Sequence, residues 1–177
     1  MQKTNLAANE EMARPTKPGH GIALSEIENP LIQKALDIWE NARGSRTMPS
    51  RAAMSPRTMA GLLRNAALVR VIGAGEEFEL RIVGDVVVQA QGASLQGMTT
   101  AEIDLVLPDY GSALRSIYRS AYRMCAPVAF RGWFVREADG HAMFHESLMM
   151  PLGEDGQPPD HLLGVGVYAM QPGQILR

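Results

Sequence analysis

The chain has 177 residues, 46% hydrophobic and 20% charged, the balance of one globular domain with short tails. A formal net charge of −2 provides no broad positive field and points away from nucleic acid, whose duplex binders neutralise about 6–10 phosphates. The longest apolar runs, residues 66–72 and 162–170, fall far short of the roughly 20 residues that cross a bilayer, so no membrane insertion is expected.

The first residues mix Lys3, Glu10, Glu11, Arg14 and Lys17 with two prolines and hold no apolar stretch, so they are not a secretory signal. Residues 1–24 are predicted to be a flexible tail. Cys125 is the only cysteine; no internal disulfide or four-cysteine zinc site can form, and a reducing cytoplasm is the expected setting. Ser25 with Glu28 fits a capping box, and Asn29 before Pro30 fits an N-cap with proline at the first helical position. Leu31, Ile32, Ala35, Leu36 and Trp39 then repeat at helical spacing up to Gly44, predicting an amphipathic helix within 25–43. A polar joint over 44–56 leads to a short helix over 56–65, opened by Pro56 behind Ser55.

Residues 66–72 and 78–83 are rich in Val, Ile and Leu around a glycine-containing connector, Gly73, Ala74 and Gly75, and predict a hairpin. Residues 84–124 turn helical in short pieces, then in one longer helix from about Asp109 that Pro127 stops. Strands are predicted over 128–137, 142–150 and 162–170, the first two joined by a turn with Asp139-Gly140. The whole makes an α+β domain over 25–171, its core at about 66–171, with 172–177 as a tail. Five antiparallel strands carry helices on one face, and a small ligand is expected between the two layers.

The order strand-strand-helices-strand-strand-strand resembles the PAS (profilin-like) fold. Trp39 on its helix, Arg43, Met48-Pro49-Ser50-Arg51, Pro56, Arg81 leading into Val83-Gly84, the Leu95 to Gly97 turn and Pro151-Leu152 together resemble a bacterial PAS-like family, the fifth PAS profile family, over about 31–169. That resemblance implies a sensory or adaptor domain acting through a small ligand, a protein partner or a second copy, with no catalytic residues. PAS domains that form a flavin photoadduct carry an asparagine-cysteine motif on a helix before the long one, whereas Cys125 ends the long helix; flavin photochemistry is disfavoured. Haem is disfavoured too, because the long helix holds no histidine.

Arg115, Arg119 and Arg123 recur every fourth residue on the long helix, as a solvated face or a contact for an acidic partner or anionic ligand. Tyr118, Tyr122 and Cys125 share its apolar side, in the core or lining a pocket; Cys125 is a buried small hydrophobe or a redox thiol. Trp39, with Leu31 and Leu36, packs on the domain or on a partner. Arg43, Arg46 and Arg51 pair with acids of the sheet or bind an anion. His141 and His145 lie about 13 Å apart in a strand, too far to share a metal, and no metal site is expected. His145 and Glu146 point to opposite faces, with a surface or rim position expected for both. Two competitors to the sensory reading stand: a small isomerase or hydrolase using Glu146, Asp104 or Asp109, and a structural scaffold without ligand.

Overall fold

The computed structural model describes residues 19–136 and 138–170. Helix α1, Pro30–Arg43, starts where Asn29 Oδ1 accepts from the Leu31 N–H at 2.9 Å and stops at Gly44, whose φ is 59°. The Ser25/Glu28 box does not form. Ser25 lies in a 3-10 turn, Leu24–Glu26, and the Glu26 carboxylate instead takes the Ala23 N–H at 2.7 Å. The helix predicted over 56–65 is also absent. Ser55 opens one helical turn, but Gly61 at φ 85° breaks it, and only a 3-10 turn, Leu63–Asn65, follows.

One antiparallel sheet holds six strands: β1 (His20–Ile22), β2 (Ala66–Ile72), β3 (Glu77–Val83), β4 (Val128–Arg136), β5 (His141–Leu152) and β6 (His161–Ala169). Their order is β1-β4-β5-β6-β2-β3. The predicted hairpin and three-stranded meander are both present, with one strand more than expected. The extra strand, β1, comes from the segment assigned to a tail: Gly21 pairs with Phe130 across the far edge of β4. Three residues with one glycine before them and another among them give no period-two signal. What holds them is non-local, because Gly19 lies so close over Gly132 that a Cβ on either would collide with the other strand's backbone. Residues 1–18, 137 and 171–177, on which the remaining tail expectations and the last residue of the third predicted strand fall, lie outside the described residues.

Alternation along the strands separates two cores. On the outer face, Leu148, Met150 and Leu152 of β5 and Leu163, Val165 and Val167 of β6 pack against Ile32, Ala35 and Trp39 of α1, with Met48, Met59 and Leu62 from the joint. The inner face is covered by α2 (Asp85–Gln91), α3 (Thr100–Val106) and α4 (Tyr110–Met124). There Val69, Phe78, Leu80 and Leu162 meet Ile103, Tyr118 and Ala121. Thr99 and Glu102 cap α3 reciprocally, and the short α2 and α3 lead into α4, which crosses the sheet.

Candidate functional site

Between the inner face of the sheet and helices α2 and α4 lies a cavity of about 90 Å³. The sheet opens it: Gly164 and Gly166 of β6 present no side chains inward, and the Tyr168 ring lies back over Gly166. Glycines two apart in an apolar strand are the signal that could have found this floor. His145 and Ser147, two apart on β5, form its next row, and Tyr110, Leu114 and Tyr118 descend from α4.

Its polar groups are neutral. Burial raises the Tyr118 phenol, with Tyr168 adding to the shift, and burial pushes Tyr168 itself up to about 12, so both stay protonated donors at neutral pH. Tyr118 is 4% exposed, packs edge-on against Phe78 at 5.5 Å, and its hydroxyl has no hydrogen-bond partner among the described residues. His145 is buried, not at a rim. Its Nε2 accepts from the Gly19 N–H at 3.2 Å, which leaves the proton on Nδ1 to donate to Ser147 Oγ at 3.3 Å. Burial, with the charge of His20 adding, lowers its pKa to about 4.

That shift has a sign. The unfolded chain takes up a proton on this histidine near pH 6.5 while the folded chain does not until about pH 4, so stability is complete above pH 6.5 and falls as acid is added through that window. The total loss is on the order of 3 kcal/mol at about 1.4 kcal/mol per unit. Urea melts at pH 7 and pH 5 are expected to differ by about 2 kcal/mol in the wild type and by much less in His145→Gln. Equal differences in the two proteins would show that His145 does not set the slope.

Of the residues predicted for a pocket, only Tyr118 lines the cavity. Tyr122 and Cys125 lie about 6 and 10 Å further along the α4 axis at 1.5 Å per residue, past the end of the cavity. The Tyr122 ring covers Gly75 in the β2–β3 turn, and Cys125 caps α4 at φ 49°, half-buried beside the outer core. The arginine stripe is largely engaged. Arg115 donates to Thr100 at 2.9 Å and pairs with Glu77 at 3.2 Å, and Arg119 donates to the carbonyls of Gly75 and Glu76, so both staple α4 to the β2–β3 turn. Arg123 alone is exposed with no partner among the described residues. Trp39 is no surface contact either: it is 2% exposed, and its indole donates to the Pro151 carbonyl at 2.9 Å. Arg43 pairs with Glu40 and stacks over Trp39, and Arg46 donates to the end of α1, so neither meets an acid of the sheet.

The three carboxylates of the enzyme reading do not line the cavity. Glu146 is buried, but on the outer face, where it accepts from the Asn29 N–H at 2.8 Å, the Glu28 N–H at 3.1 Å and the Arg131 guanidinium at 2.7 Å. Asp104 is half-buried and held by Ser112, and Asp109 stands exposed at the start of α4. The family model of the PAS domain matches residues 27–167, most of the chain.

The chain belongs to the PAS domain family.

Solved structures with a similar fold include the Rhodobacter sphaeroides LOV protein, at 14% identity and a TM-score of 0.47, covering 83% of this PAS domain chain and 71% of the other. The PAS domain of an HTR-like protein from Haloarcula marismortui is 18% identical with a TM-score of 0.40, covering 66% of this chain and 93% of that one. An RNA-binding light-oxygen-voltage receptor is 17% identical with a TM-score of 0.44, covering 85% of this chain and 36% of its own. No curated protein matches. The architecture, one antiparallel sheet with helices over its inner face, is that of the PAS family, and no helix among the described residues is long and apolar enough to cross a membrane.

Proposed function

We propose that this PAS domain is a non-catalytic sensory or adaptor module of the cytoplasm, in which a small molecule in the inner cavity alters contacts with a protein partner or a second copy of the chain. The observation that carries this reading is the Tyr118 hydroxyl, on a side chain 4% exposed and without a partner among the described residues, beside a neutral His145 in a cavity that no carboxylate lines. A ligand oxygen or an ordered water placed against that hydroxyl gains a hydrogen bond worth about 0.5–1.5 kcal/mol. Chemistry on a substrate would need a titratable group poised to exchange a proton near neutral pH, and the lining phenols and imidazole are shifted away from that range. Arg123 is the cation of the α4 stripe that remains free for an acidic partner.

Native and denaturing mass spectrometry of the purified protein test this together. Extra mass retained only in the native spectrum, or a dimer that forms or dissociates when that mass is lost, is expected. A bare monomer that stays monomeric and binds nothing at any concentration would end the sensory reading in favour of a scaffold. The absorbance spectrum is expected to lack flavin and haem bands, and either band would identify the cofactor and displace the colourless ligand expected for this cavity.

A further inference from the structure

The cavity has a wall that is shared. Gln91, Tyr110 and Phe134 line both it and a second cavity of about 150 Å³ reached past Leu107, Pro108 and Asp109, so these three side chains are a partition between two compartments. The Tyr110 and Phe134 rings stand 6.4 Å apart in that partition, tilted by 35° and not interlocked edge to face. Tyr110 is the first residue of α4, directly after Asp109, whose φ of 67° puts it in the left-handed region. Its ring is half-buried and not locked edge to face, so it can swing more freely than Tyr118, two turns on, 4% exposed and packed edge-on against Phe78.

We propose that the two compartments form one binding site for a neutral, hydrogen-bonding aromatic molecule of about two fused rings, with Tyr110 as the gate between them. This rests on the reading of the cavity as a ligand site and specifies what that site takes. Size is the first argument. A cavity of about 150 Å³ takes one benzene, so the inner compartment of about 90 Å³ is too small for a ring until the partition moves, whereas the joined compartments, about 1.6 times the one-benzene volume, match two rings fused along an edge. Charge is the second. The lining side chains are apolar or neutral except for Asp109 at the outer end, so an anion would lose its hydration, meet no cation and be repelled at the mouth. Hydrogen bonding is the third: the Tyr118 and Tyr168 hydroxyls line the inner compartment with no partner among the described residues, ready to donate to a ligand oxygen or accept from a ligand hydroxyl.

The test is fluorescence titration and stopped-flow association of the full chain with 2-naphthol and, as its anionic counterpart, 2-naphthoate. The wild type is expected to bind 2-naphthol, and 2-naphthoate at least about 10-fold more weakly. Tyr118→Phe is expected to weaken 2-naphthol by about 3- to 10-fold through loss of one hydrogen bond. Tyr110→Ala is expected to speed association by about 10-fold or more, because the closed gate no longer limits entry. Tyr110→Leu, closer in volume, serves if the alanine variant does not give the wild-type circular dichroism spectrum. Equal or tighter binding of 2-naphthoate, an affinity indifferent to Tyr118→Phe, or unchanged association in the Tyr110 variants would overturn the proposal. If a charged or larger molecule is retained in native spectra while 2-naphthol fails, the ligand class falls and the sensory reading stands. If neither compound binds any variant and no mass is retained, the ligand site itself falls.

Discussion

Replacement of Trp39 by alanine is expected to lower the stability of the domain by about 3–5 kcal/mol, the usual cost of emptying a large aromatic site. At about 2–4 °C per kcal/mol for a chain of this length, Tm is expected to fall by roughly 10 °C. The side chain is 2% exposed and reaches across from α1 to the outer face of β5, where its indole N–H satisfies the Pro151 carbonyl at 2.9 Å. Alanine would remove the packing and leave that carbonyl without its donor. Trp39→Phe keeps most of the ring and is expected to cost about 1–2 kcal/mol, chiefly the lost hydrogen bond. The pair of variants separates the two roles open at the level of sequence: a residue that served only a partner would leave the monomer's melting curve where it was and change assembly alone. Thermal and urea melts at two protein concentrations make that distinction.

Glu146→Ala is expected to cost about 3–5 kcal/mol as well, by a different route. The carboxylate is nearly buried and collects the Glu28 and Asn29 N–H groups, which lead into α1, together with the Arg131 guanidinium. Its removal strands two backbone donors at the point where the chain enters the helix and leaves the Arg131 guanidinium, 22% exposed, with only the Glu26 carbonyl and the exposed Glu28 carboxylate. Glu146→Gln retains an acceptor and is expected to recover part of the loss. Amide hydrogen exchange should show the damage at residues 28–33 before it reaches β5, because local opening of the helix start is the cheapest response to a lost anchor. A loss under about 1 kcal/mol would mean that the pair behaves like an exposed ion pair and that α1 is held by its apolar face alone.

Much of the architecture was legible from neighbours in the chain. Asn29 before Pro30 marks the start of α1, and Val-, Ile- and Leu-rich runs with the Asp139-Gly140 turn mark the β2–β3 hairpin and the β4–β5–β6 meander. The α4 stripe with Pro127 behind it delimits the long helix. In the candidate site only Tyr118 was legible, because helical spacing places it on the apolar side of α4. Tyr122 and Cys125 share that side but not that depth, and depth depends on where the helix crosses the sheet. His145 was expected at a rim and Tyr168 was not singled out, because a single polar residue in a strand gives the same local signal at a rim as in a cavity.

The sequence alone therefore determined the class of the domain, the order of its elements and which side of each strand and helix is apolar, since these follow from backbone preferences and spacing within a few residues. The tertiary structure alone decided that Trp39 is core, that His20–Ile22 is a sixth strand, that Arg115 and Arg119 are staples, and that Glu146 anchors α1 while its neighbour His145 faces the cavity. The physical reason is sequence separation. Glu146 meets Asn29 across 117 residues and His145 meets Gly19 across 126, and whether a polar group is exposed or paired is set by such distant partners, not by the residues beside it.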